Sequence, residues 1–242
     1  ILRRLKRDVA KDLPDKIVRV AYCRMGEEQQ RLTNEVRMKA KAARTKFEML
    51  AVLMKMRQIA NHPALVEKGS RAESGKLEAF FDVLDEAIDG GHRVLVFSQF
   101  VAMLSILRRE LDARHIGYCY LDGSTKDRLG ECRRFNQGDM PVFLISLHAG
   151  GTGLNLTGAD TVIHFDPWWN PAVENQATDR AHRIGQRKKV CVVKLISEDS
   201  VEERVLKLQE RKKLVIDATV SATDEAIVSK MSFDDLRSVV GV

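Results

Sequence analysis

A glutamine and two arginines in the second half of the chain have a spacing that suits phosphate chemistry. Gln176, Arg180 and Arg183 follow Pro171, a residue type that is common in the first turn of a helix. If this segment is helical, the three side chains lie at positions i, i+4 and i+7 and share one face. Guanidinium groups on such a face can hold a polyphosphate through forked hydrogen bonds and neutralise charge on a transferred phosphoryl group. A solvated basic helix that pairs with neighbouring carboxylates such as Asp179 is the alternative, and charge patterning alone favours it.

A glycine-rich segment precedes these residues. Ala149-Gly150-Gly151-Thr152-Gly153-Leu154-Asn155-Leu156 follows the continuous apolar run Val142 to Ile145. Glycines let backbone amides approach phosphate oxygens and adopt positive φ, so the segment could cradle phosphates of a nucleotide or of a nucleic acid. A simple tight turn between a strand and a helix is the alternative, and it is the commoner meaning of so short a motif.

Polar side chains follow two further apolar runs, at the points where strands are predicted to end. These side chains are Ser98 and Gln99 in one place, and Ser124, Thr125, Lys126 and Arg128 in the other. Hydroxyl groups and basic side chains near the start of a helix suit a phosphate backbone. Plain capping of that helix by Ser124 or Thr125 is the alternative and the commoner reason for such residues.

Both tryptophans of the chain stand in one loop, Phe165-Asp166-Pro167-Trp168-Trp169-Asn170-Pro171. An exposed tryptophan there could wedge into a groove or stack on a nucleotide. Burial in a core is the alternative, and it is the more common fate of a tryptophan.

These residues need a framework, and the pattern after Gly75 predicts an α/β fold. Five continuously apolar runs predict strands at Val94 to Phe97, Gly117 to Leu121, Val142 to Ile145, Thr161 to Phe165 and Val190 to Ile196. Amphipathic helices are predicted at Leu77 to Ile88, Val101 to Ala113 and Lys126 to Asn136. Apolar strands that alternate with helices imply a parallel sheet with helices on both faces. Ligands of such sheets bind at the carboxyl ends of the strands.

The flanking segments are predicted to be a strand and helices. Lys16 to Tyr22 alternates as a strand does, and after Gly26 the pattern becomes that of a long helix ending before Pro63. Its apolar stripe is predicted at Phe47, Leu50, Ala51 and Met54. A charged helix from Ser200 to about Thr219 is expected to pack as a brace. The predicted organisation is a helical segment at 1–68, an α/β domain at 69–199, and a brace helix and tail at 200–242.

Composition excludes several classes of protein. A hydrophobic fraction of 44% and a charged fraction of 31% are typical of a globular protein, and a net charge of +6 weakly favours polyanions as partners. The four cysteines form no C-x-x-C pair, so neither a metal cluster nor a disulfide framework is expected. No apolar run reaches the ~20 residues of a membrane span. The lack of an initiator Met indicates a piece of a longer protein.

Taken in order, the motifs closely resemble helicase motifs IV to VI of the SWI/SNF-type ATPases of superfamily 2. The segments that carry the resemblance are Phe97 to Phe100, Asp122 to Thr125, Ala149 to Leu156, Asp166 to Pro171, Asp179 to Gln186 and, upstream, Met54 to Pro63. The resemblance covers nearly the whole chain. It implies a RecA-like second lobe that closes on a first lobe, with ATP and Mg²⁺ between them, in an ATP-driven translocase of double-stranded DNA.

Carried over residue by residue, the resemblance implies that Arg180 and Arg183 are arginine fingers. It implies that Gln176, Gly153 and Asn155 line the ATP site. It also places on or beside the DNA track Ser98, Gln99, Ser124, Ser146, Gly150, Thr152 and Trp169, to which charge adds Lys126 and Arg128. Thr33 and Ala60 depart from the family pattern, which is usually aromatic at the first position and often cysteine at the second, and this casts doubt on helix packing there.

The chain lacks two motifs that a complete motor needs. It contains neither a P-loop nor a D-E-x-H sequence; the nearest imitation of the former, Ser74-Gly75-Lys76-Leu77, lacks the upstream glycine. We therefore expect no ATP hydrolysis by this chain alone, no metal site of its own, and Mg²⁺ held by the missing first lobe. The expected partners are double-stranded DNA and that lobe of the same polypeptide, in a monomeric intracellular protein, nuclear in a eukaryote. A non-catalytic DNA-binding or protein-interaction module is the alternative, and an RNA helicase lobe is a third.

Overall fold

The computed structural model of the chain describes residues 13–70, 72–147, 149, 153–207 and 231–242. Within these residues the strands are β1 Lys16–Cys23, β2 Val94–Ser98, β3 Tyr118–Leu121, β4 Val142–Ser146, β5 Thr161–His164 and β6 Val190–Ser197. The helices are α1 Glu27–Ala40, α2 Lys46–Asn61, α3 Gly75–Asp89, α4 Val101–Ala113, α5 Arg128–Gln137, α6 Pro171–Thr178 and α7 Phe233–Val240. A short 3₁₀ helix spans Pro63–Leu65, and residues 201–207 are also helical.

The strands form one sheet in the order β1-β6-β5-β2-β4-β3. β2 pairs in parallel with β4 and β5, and β3 pairs in parallel with β4. Every residue of β2, β4 and β5 is buried, as strands covered on both faces of a parallel sheet must be. The predicted α/β fold with a parallel sheet is confirmed, and the five strands expected after Gly75 lie within about one residue of their predicted bounds.

By packing, the chain divides into two compact units. Unit 1 comprises Asp85–His164 and Asn175–Val193 with the described residues up to Arg19. Unit 2 comprises Val20–Leu84 and Phe165–Glu174 with the described residues from Lys194 onward. The division of the chain into segments 1–68, 69–199 and 200–242 remains a prediction.

The core of unit 1 positions the segments of interest. It joins apolar residues of strands β2 to β6 and of α5, and the rings of Phe135 and Phe143 pack with their centroids 5.2 Å apart. Leu154 and Leu156 are buried in this core, and so are Ala177 and Ala181. The end of the glycine-rich sequence and the turn after α6 are therefore both anchored by apolar side chains.

Unit 2 contains two helices where the sequence predicts one long helix. α1 ends at Ala40, and α2 begins at Lys46 with Thr45 as its N-cap. The Thr45 hydroxyl accepts from the Glu48 backbone N–H at 3.2 Å, and the Glu48 carboxylate accepts from the Thr45 N–H at 3.1 Å. The prediction of one helix is wrong because this capping box starts a new one.

The predicted apolar stripe of α2 is also wrong. Phe47 is 81% exposed and Met54 is 42% exposed. The core of unit 2 instead receives the face that carries Met49, Leu53, Met56 and Ile59. The two faces carry similar numbers of apolar residues, so periodicity alone does not decide which of them is buried.

Helical residues 201–207 and α7 complete the core of unit 2. Val201, Val205, Leu236 and Val240 are buried in one cluster with α1 and α2. This agrees with the start of the predicted brace helix, whose continuation to Thr219 lies outside the described residues. Thr33 and Ala60, the two departures from the family pattern, are both buried as well.

The described part of the chain contains no helix that is both long and apolar enough to cross a membrane. All four cysteines are free thiols; Cys23, Cys119 and Cys132 are buried, and Cys191 is half-buried.

Candidate functional site

Two serines lie side by side where β2 and β4 end. Ser98 is opposite Ser146 in the register, and Leu121 at the end of β3 is opposite Ile145. The carboxyl ends of three strands thus meet at one edge, as predicted. Both serines are fully buried, however, and the Ser98 hydroxyl accepts from the Phe100 backbone N–H at 3.1 Å. The Ser98 hydroxyl therefore shapes the chain after β2, and neither serine is exposed for a direct contact with DNA. Gln99 is half-buried beside them.

The turn after β3 is built around a carboxylate. Asp122 accepts from the Ser124 hydroxyl at 2.6 Å and from the Ser124 N–H at 2.8 Å. The bond from the Ser124 hydroxyl is the main reason why the pKa of Asp122 lies below its usual value. Ser124 is exposed but caps no helix; the N-cap of α5 is Asp127, whose carboxylate accepts from the Gly130 N–H at 2.7 Å.

Two basic side chains stand at the start of α5. Lys126 and Arg128 are both exposed. One guanidinium N–H of Arg128 donates to the carbonyl oxygen of Ala149 at 3.4 Å. This contact places positive charge beside the glycine-rich sequence, within which Gly150 and Thr152 lie outside the described residues.

The last four residues of that sequence run from Gly153 to Leu156. Gly153 is exposed and has a φ of +96°, which a residue with a Cβ rarely adopts. Asn155 is exposed, and its carbonyl oxygen accepts from the side-chain amide of Asn136 at 2.8 Å. The Asn136 side chain also accepts from the Gly158 N–H at 3.1 Å, so α5 holds this segment in place.

The two arginines do not share a helical face with Gln176. α6 ends at Thr178, and the following backbone bonds, such as Arg180 N–H to Ala177 O at 3.2 Å, close tighter turns. The prediction of an i, i+4, i+7 face is wrong for this reason. Gln176 and Arg183 are exposed, whereas Arg180 is only 9% exposed.

The charged side chain of Arg180 is buried, which is unusual for an arginine. Burial is the main cause that lowers the pKa of its guanidinium, although arginine stays charged in proteins. Its buried Nε–H has no hydrogen-bond partner among the described residues. Its carbonyl oxygen accepts from the Leu156 N–H at 3.0 Å, which joins the turn to the segment of Asn155. A buried cation with an unused donor favours an anionic ligand.

Gln186 belongs to this site, although the sequence patterns did not single it out. It is buried, and its carboxamide bonds to the turn and to the residues after Leu156. Gln186 lies four residues before β6, where neither a helical nor a strand periodicity predicts that it is buried. The sequence indicated it only as the last residue of the Asp179 to Gln186 motif.

The tryptophan loop is packed in unit 2. Trp168 and Trp169 are each 5% exposed, and Trp169 is part of the apolar core. Arg57 donates to the carbonyl oxygen of Pro167 at 2.7 Å and lies 5.7 Å from the Trp169 ring centre. The Trp168 backbone N–H donates to the Glu174 carboxylate at 2.8 Å. Core packing is thus the alternative that the structure supports, and the side chain of Trp169 has no exposed ring face for stacking on DNA.

No group of three or more His, Cys, Asp or Glu side chains that could hold a metal ion occurs among the described residues.

Two family models match the chain. The helicase conserved C-terminal domain matches residues 75–185, and the SNF2-related domain matches residues 1–65. The chromatin structure-remodeling complex subunit snf21 of Schizosaccharomyces pombe is 40% identical over 91% of this chain and 20% of its own length. The chain spans 14% to 28% of the length of the curated relatives compared with it.

Solved structures agree with these matches. The Sulfolobus solfataricus SWI2/SNF2 ATPase C-terminal domain has a TM-score of 0.72 and is 32% identical, covering 93% of this chain and 98% of that one. The Sulfolobus solfataricus SWI2/SNF2 ATPase core in complex with dsDNA has a TM-score of 0.75 and is 36% identical, covering 98% of this chain and 53% of that one. The expected RecA-like fold and the resemblance are confirmed. The chain belongs to the SWI2/SNF2 family of ATPases and corresponds to the C-terminal domain of that family.

Proposed function

We propose that this chain is the second motor lobe of an ATP-dependent translocase of double-stranded DNA. In this proposal Arg180 and Arg183 complete an ATP site whose other half belongs to a first lobe of the same polypeptide. The observation that carries it is the turn after α6, which holds a buried guanidinium with an unused Nε–H donor and, three residues later, an exposed one. Two such cations in one anchored turn suit the phosphates of a nucleotide.

The roles of the two arginines follow from their exposure. Arg183 is free to reach across a cleft and neutralise charge that develops on the transferred phosphoryl group. Arg180 is held in the protein interior, where its charge is less screened and where an anion would satisfy the Nε–H. Gln176, Gly153 and Asn155 are all exposed and are proposed to line the near side of the nucleotide.

ATP is the substrate, and Mg²⁺ would neutralise its β and γ phosphates. We propose that the first lobe holds this ion, because a P-loop and a D-E-x-H sequence are absent from the 242 residues. For the same reason we propose that the chain alone does not hydrolyse ATP.

The DNA track is proposed to run over the exposed polar residues at the edge of the sheet. Ser124, Lys126 and Arg128 are exposed there, and Arg128 bonds to Ala149, the first residue of the glycine-rich sequence. The related Sulfolobus solfataricus core was solved with double-stranded DNA, which supports DNA as the ligand. Contacts mainly to phosphates would give little sequence preference and a strong dependence on salt.

The remaining predicted DNA residues are proposed to act in two ways. Ser98, Ser146 and Trp169 are buried and would shape the track rather than contact DNA. Gln99, Gly150 and Thr152 remain proposed contacts. As part of such a motor, the chain would work as a monomer where DNA is found, in the nucleus of a eukaryote or the cytoplasm of a prokaryote.

The test is ATP hydrolysis by the full-length protein, with and without double-stranded DNA. Arg183→Ala should lower DNA-stimulated turnover on the order of 10³-fold, the effect of losing an arginine finger, and should leave DNA binding nearly unchanged. Arg109→Ala is the matched control, because Arg109 is an exposed arginine of α4. Intact turnover in Arg183→Ala would refute the role of Arg183 and favour the non-catalytic DNA-binding or interaction module.

A further inference from the structure

We propose that Gln186 is the positioning residue for Arg180 and Arg183. Its carboxamide holds the turn that carries both arginines against the segment that carries Asn155. This inference rests on the proposed function of the arginines, and it adds a residue that contacts neither nucleotide nor DNA.

The carboxamide of Gln186 is saturated with backbone contacts. Its Nε2 donates to the carbonyl oxygen of Ala159 at 2.7 Å, with further contacts to those of Ala181 at 3.2 Å and Thr157 at 3.3 Å. Its Oε1 accepts from the backbone N–H groups of the next two residues, both at 2.9 Å. One side chain thus joins the arginine turn, the segment after Leu156 and the approach to β6.

The orientation of the carboxamide follows from these contacts. Three carbonyl oxygens face one end of the group and two N–H donors face the other. A flipped amide would set oxygen against oxygen and N–H against N–H. Gln186 is 8% exposed, so water cannot readily replace the lost bonds.

The position of Arg183 depends on this anchor. The side chain of Arg183 is exposed, and its carbonyl oxygen accepts from the backbone N–H of Gln186 at 2.9 Å. Of the two residues between them in the chain, Gly185 has a φ of +104° and would allow the turn to change shape. Arg180 has a second link, from its carbonyl oxygen to the Leu156 N–H at 3.0 Å. Loss of the carboxamide should therefore displace Arg183 more than Arg180.

The experiment uses two variants of the full-length motor. Gln186→Leu keeps the size of the side chain and removes all of its hydrogen bonds. Gln186→Glu keeps the acceptor for the two N–H groups and turns a carboxylate oxygen toward three carbonyls. In both variants we expect kcat for DNA-stimulated ATP hydrolysis to fall by about 10- to 100-fold, since a displacement of about 1 Å can cost that much. The KM for ATP and the Kd for DNA should change less than about threefold, because binding does not require the arginine to be in reacting geometry.

Two controls separate positioning from loss of stability. Ile163→Val trims a fully buried side chain of β5 in the same unit and should keep the wild-type kcat. In an Arg183→Lys background, Gln186→Leu should lower kcat much less than it does in the wild type. The guanidinium group that Gln186 is proposed to position is absent from that background. Equal losses in both backgrounds, or wild-type kcat in Gln186→Glu, would overturn the inference.

The proposed function is tested separately in the same assay. If Arg183→Ala keeps its turnover, the arginine finger itself is refuted. If Arg183→Ala loses turnover while both Gln186 variants keep it, only the positioning role of Gln186 is refuted.

Discussion

At the scale of single residues, Asp160 shows how a buried charge is held in unit 1. Its carboxylate accepts from Lys188 Nζ at 2.9 Å, from the Arg93 backbone N–H at 3.1 Å, and lies 3.0 Å from His92 Nδ1. Burial alone would raise the pKa of Asp160, but the hydrogen bonds from Lys188, His92 and the Arg93 N–H outweigh it and lower that pKa. Asp160 precedes β5 directly, so its bonds tie the start of that strand to the residues before β2 and β6.

Replacing Asp160 should therefore cost stability in a way that depends on pH. A carboxyl whose pKa is lower in the folded state stabilises the fold above the unfolded pKa of about 3.9 and loses that effect as pH falls through the folded pKa. We expect Asp160→Asn to lower the free energy of unfolding by about 1–2 kcal/mol at pH 7. The difference from the wild type should shrink below about pH 4.

Urea denaturation at pH 7, 5 and 3 measures this difference. The control is Asp82→Asn on α3, where the carboxylate is exposed and the change should stay within about 0.5 kcal/mol. A difference that stays constant from pH 7 to 3 would show that the charge of Asp160 does not stabilise the fold.

At the scale of the elements, α2 has two apolar faces of which only one is buried. Leu53 is 1% exposed, and the next residue, Met54, is 42% exposed. Leu53→Ala should therefore cost about 2–5 kcal/mol of unfolding free energy, because it leaves a cavity in the core. Met54→Ala and Phe47→Ala should each change it by less than about 0.5 kcal/mol.

Chemical denaturation of these three variants decides which face of α2 is buried. If Phe47→Ala cost as much as Leu53→Ala, the face with Phe47 would be covered in solution.

The outcome at α2 indicates which features the sequence can predict. Strands β2, β4 and β5 are apolar at every position, so the run of residues alone locates them. The sequence predicts structure less well where two alternative arrangements of the same segment have similar patterns. The capping box of Thr45 outweighed a continuous helical pattern, and tertiary packing chose between the two faces of α2.

The candidate site shows the same limit. Residue types and order identified Arg180 and Arg183, but their geometry depends on where α6 ends. The buried residues Ala177 and Ala181 lie on either side of that end, and the carboxamide of Gln186 donates to the carbonyl oxygen of Ala181. The periodicity of the sequence marks none of these three residues. Long-range partners such as Arg57, which holds the tryptophan loop, are 110 residues away in the chain and cannot be inferred from spacing.

At the scale of the whole molecule, unit 2 is organised around a buried ion pair. The Lys76 ammonium bonds to the Glu202 carboxylate, and both side chains are fully buried. Lys76 also donates to the Asn61 side chain at 3.0 Å, and Glu202 accepts from the Ser197 N–H at 3.0 Å. The pair thus connects the end of α2, the start of α3 and helical residues 201–207.

Breaking one side of this pair should be more damaging than removing both. Lys76→Met or Glu202→Gln alone should cost about 3–5 kcal/mol of unfolding free energy, because the first leaves an uncompensated buried carboxylate and the second an uncompensated ammonium. The double variant Lys76→Met with Glu202→Gln should cost clearly less than the sum of the two single changes. Urea denaturation of all four proteins gives the coupling, and simple additivity would mean that the charges do not depend on each other.

The four free cysteines allow local opening to be measured separately in each unit. Burial raises the pKa of Cys23 and of Cys119 to about 11, and it raises the pKa of Cys132 and of Cys191 as well. The thiolate is the reactive form, so in the native protein at pH 8 the buried thiols should react with iodoacetamide only after local opening. Cys191, the half-buried one, should react first.

The ion pair of unit 2 lies near only one of these thiols. Both Lys76 and Glu202 act electrostatically on Cys23, whereas Cys119 and Cys132 belong to the core of unit 1. Glu202→Gln should therefore speed the labelling of Cys23 about 10-fold or more and leave that of Cys119 and Cys132 nearly unchanged, if the region around the pair opens before the whole chain unfolds. Mass spectrometry of time-quenched samples measures the three rates in one experiment. Equal acceleration at all three cysteines would instead mean that they become reactive only through global unfolding, so that the two units share one cooperative transition.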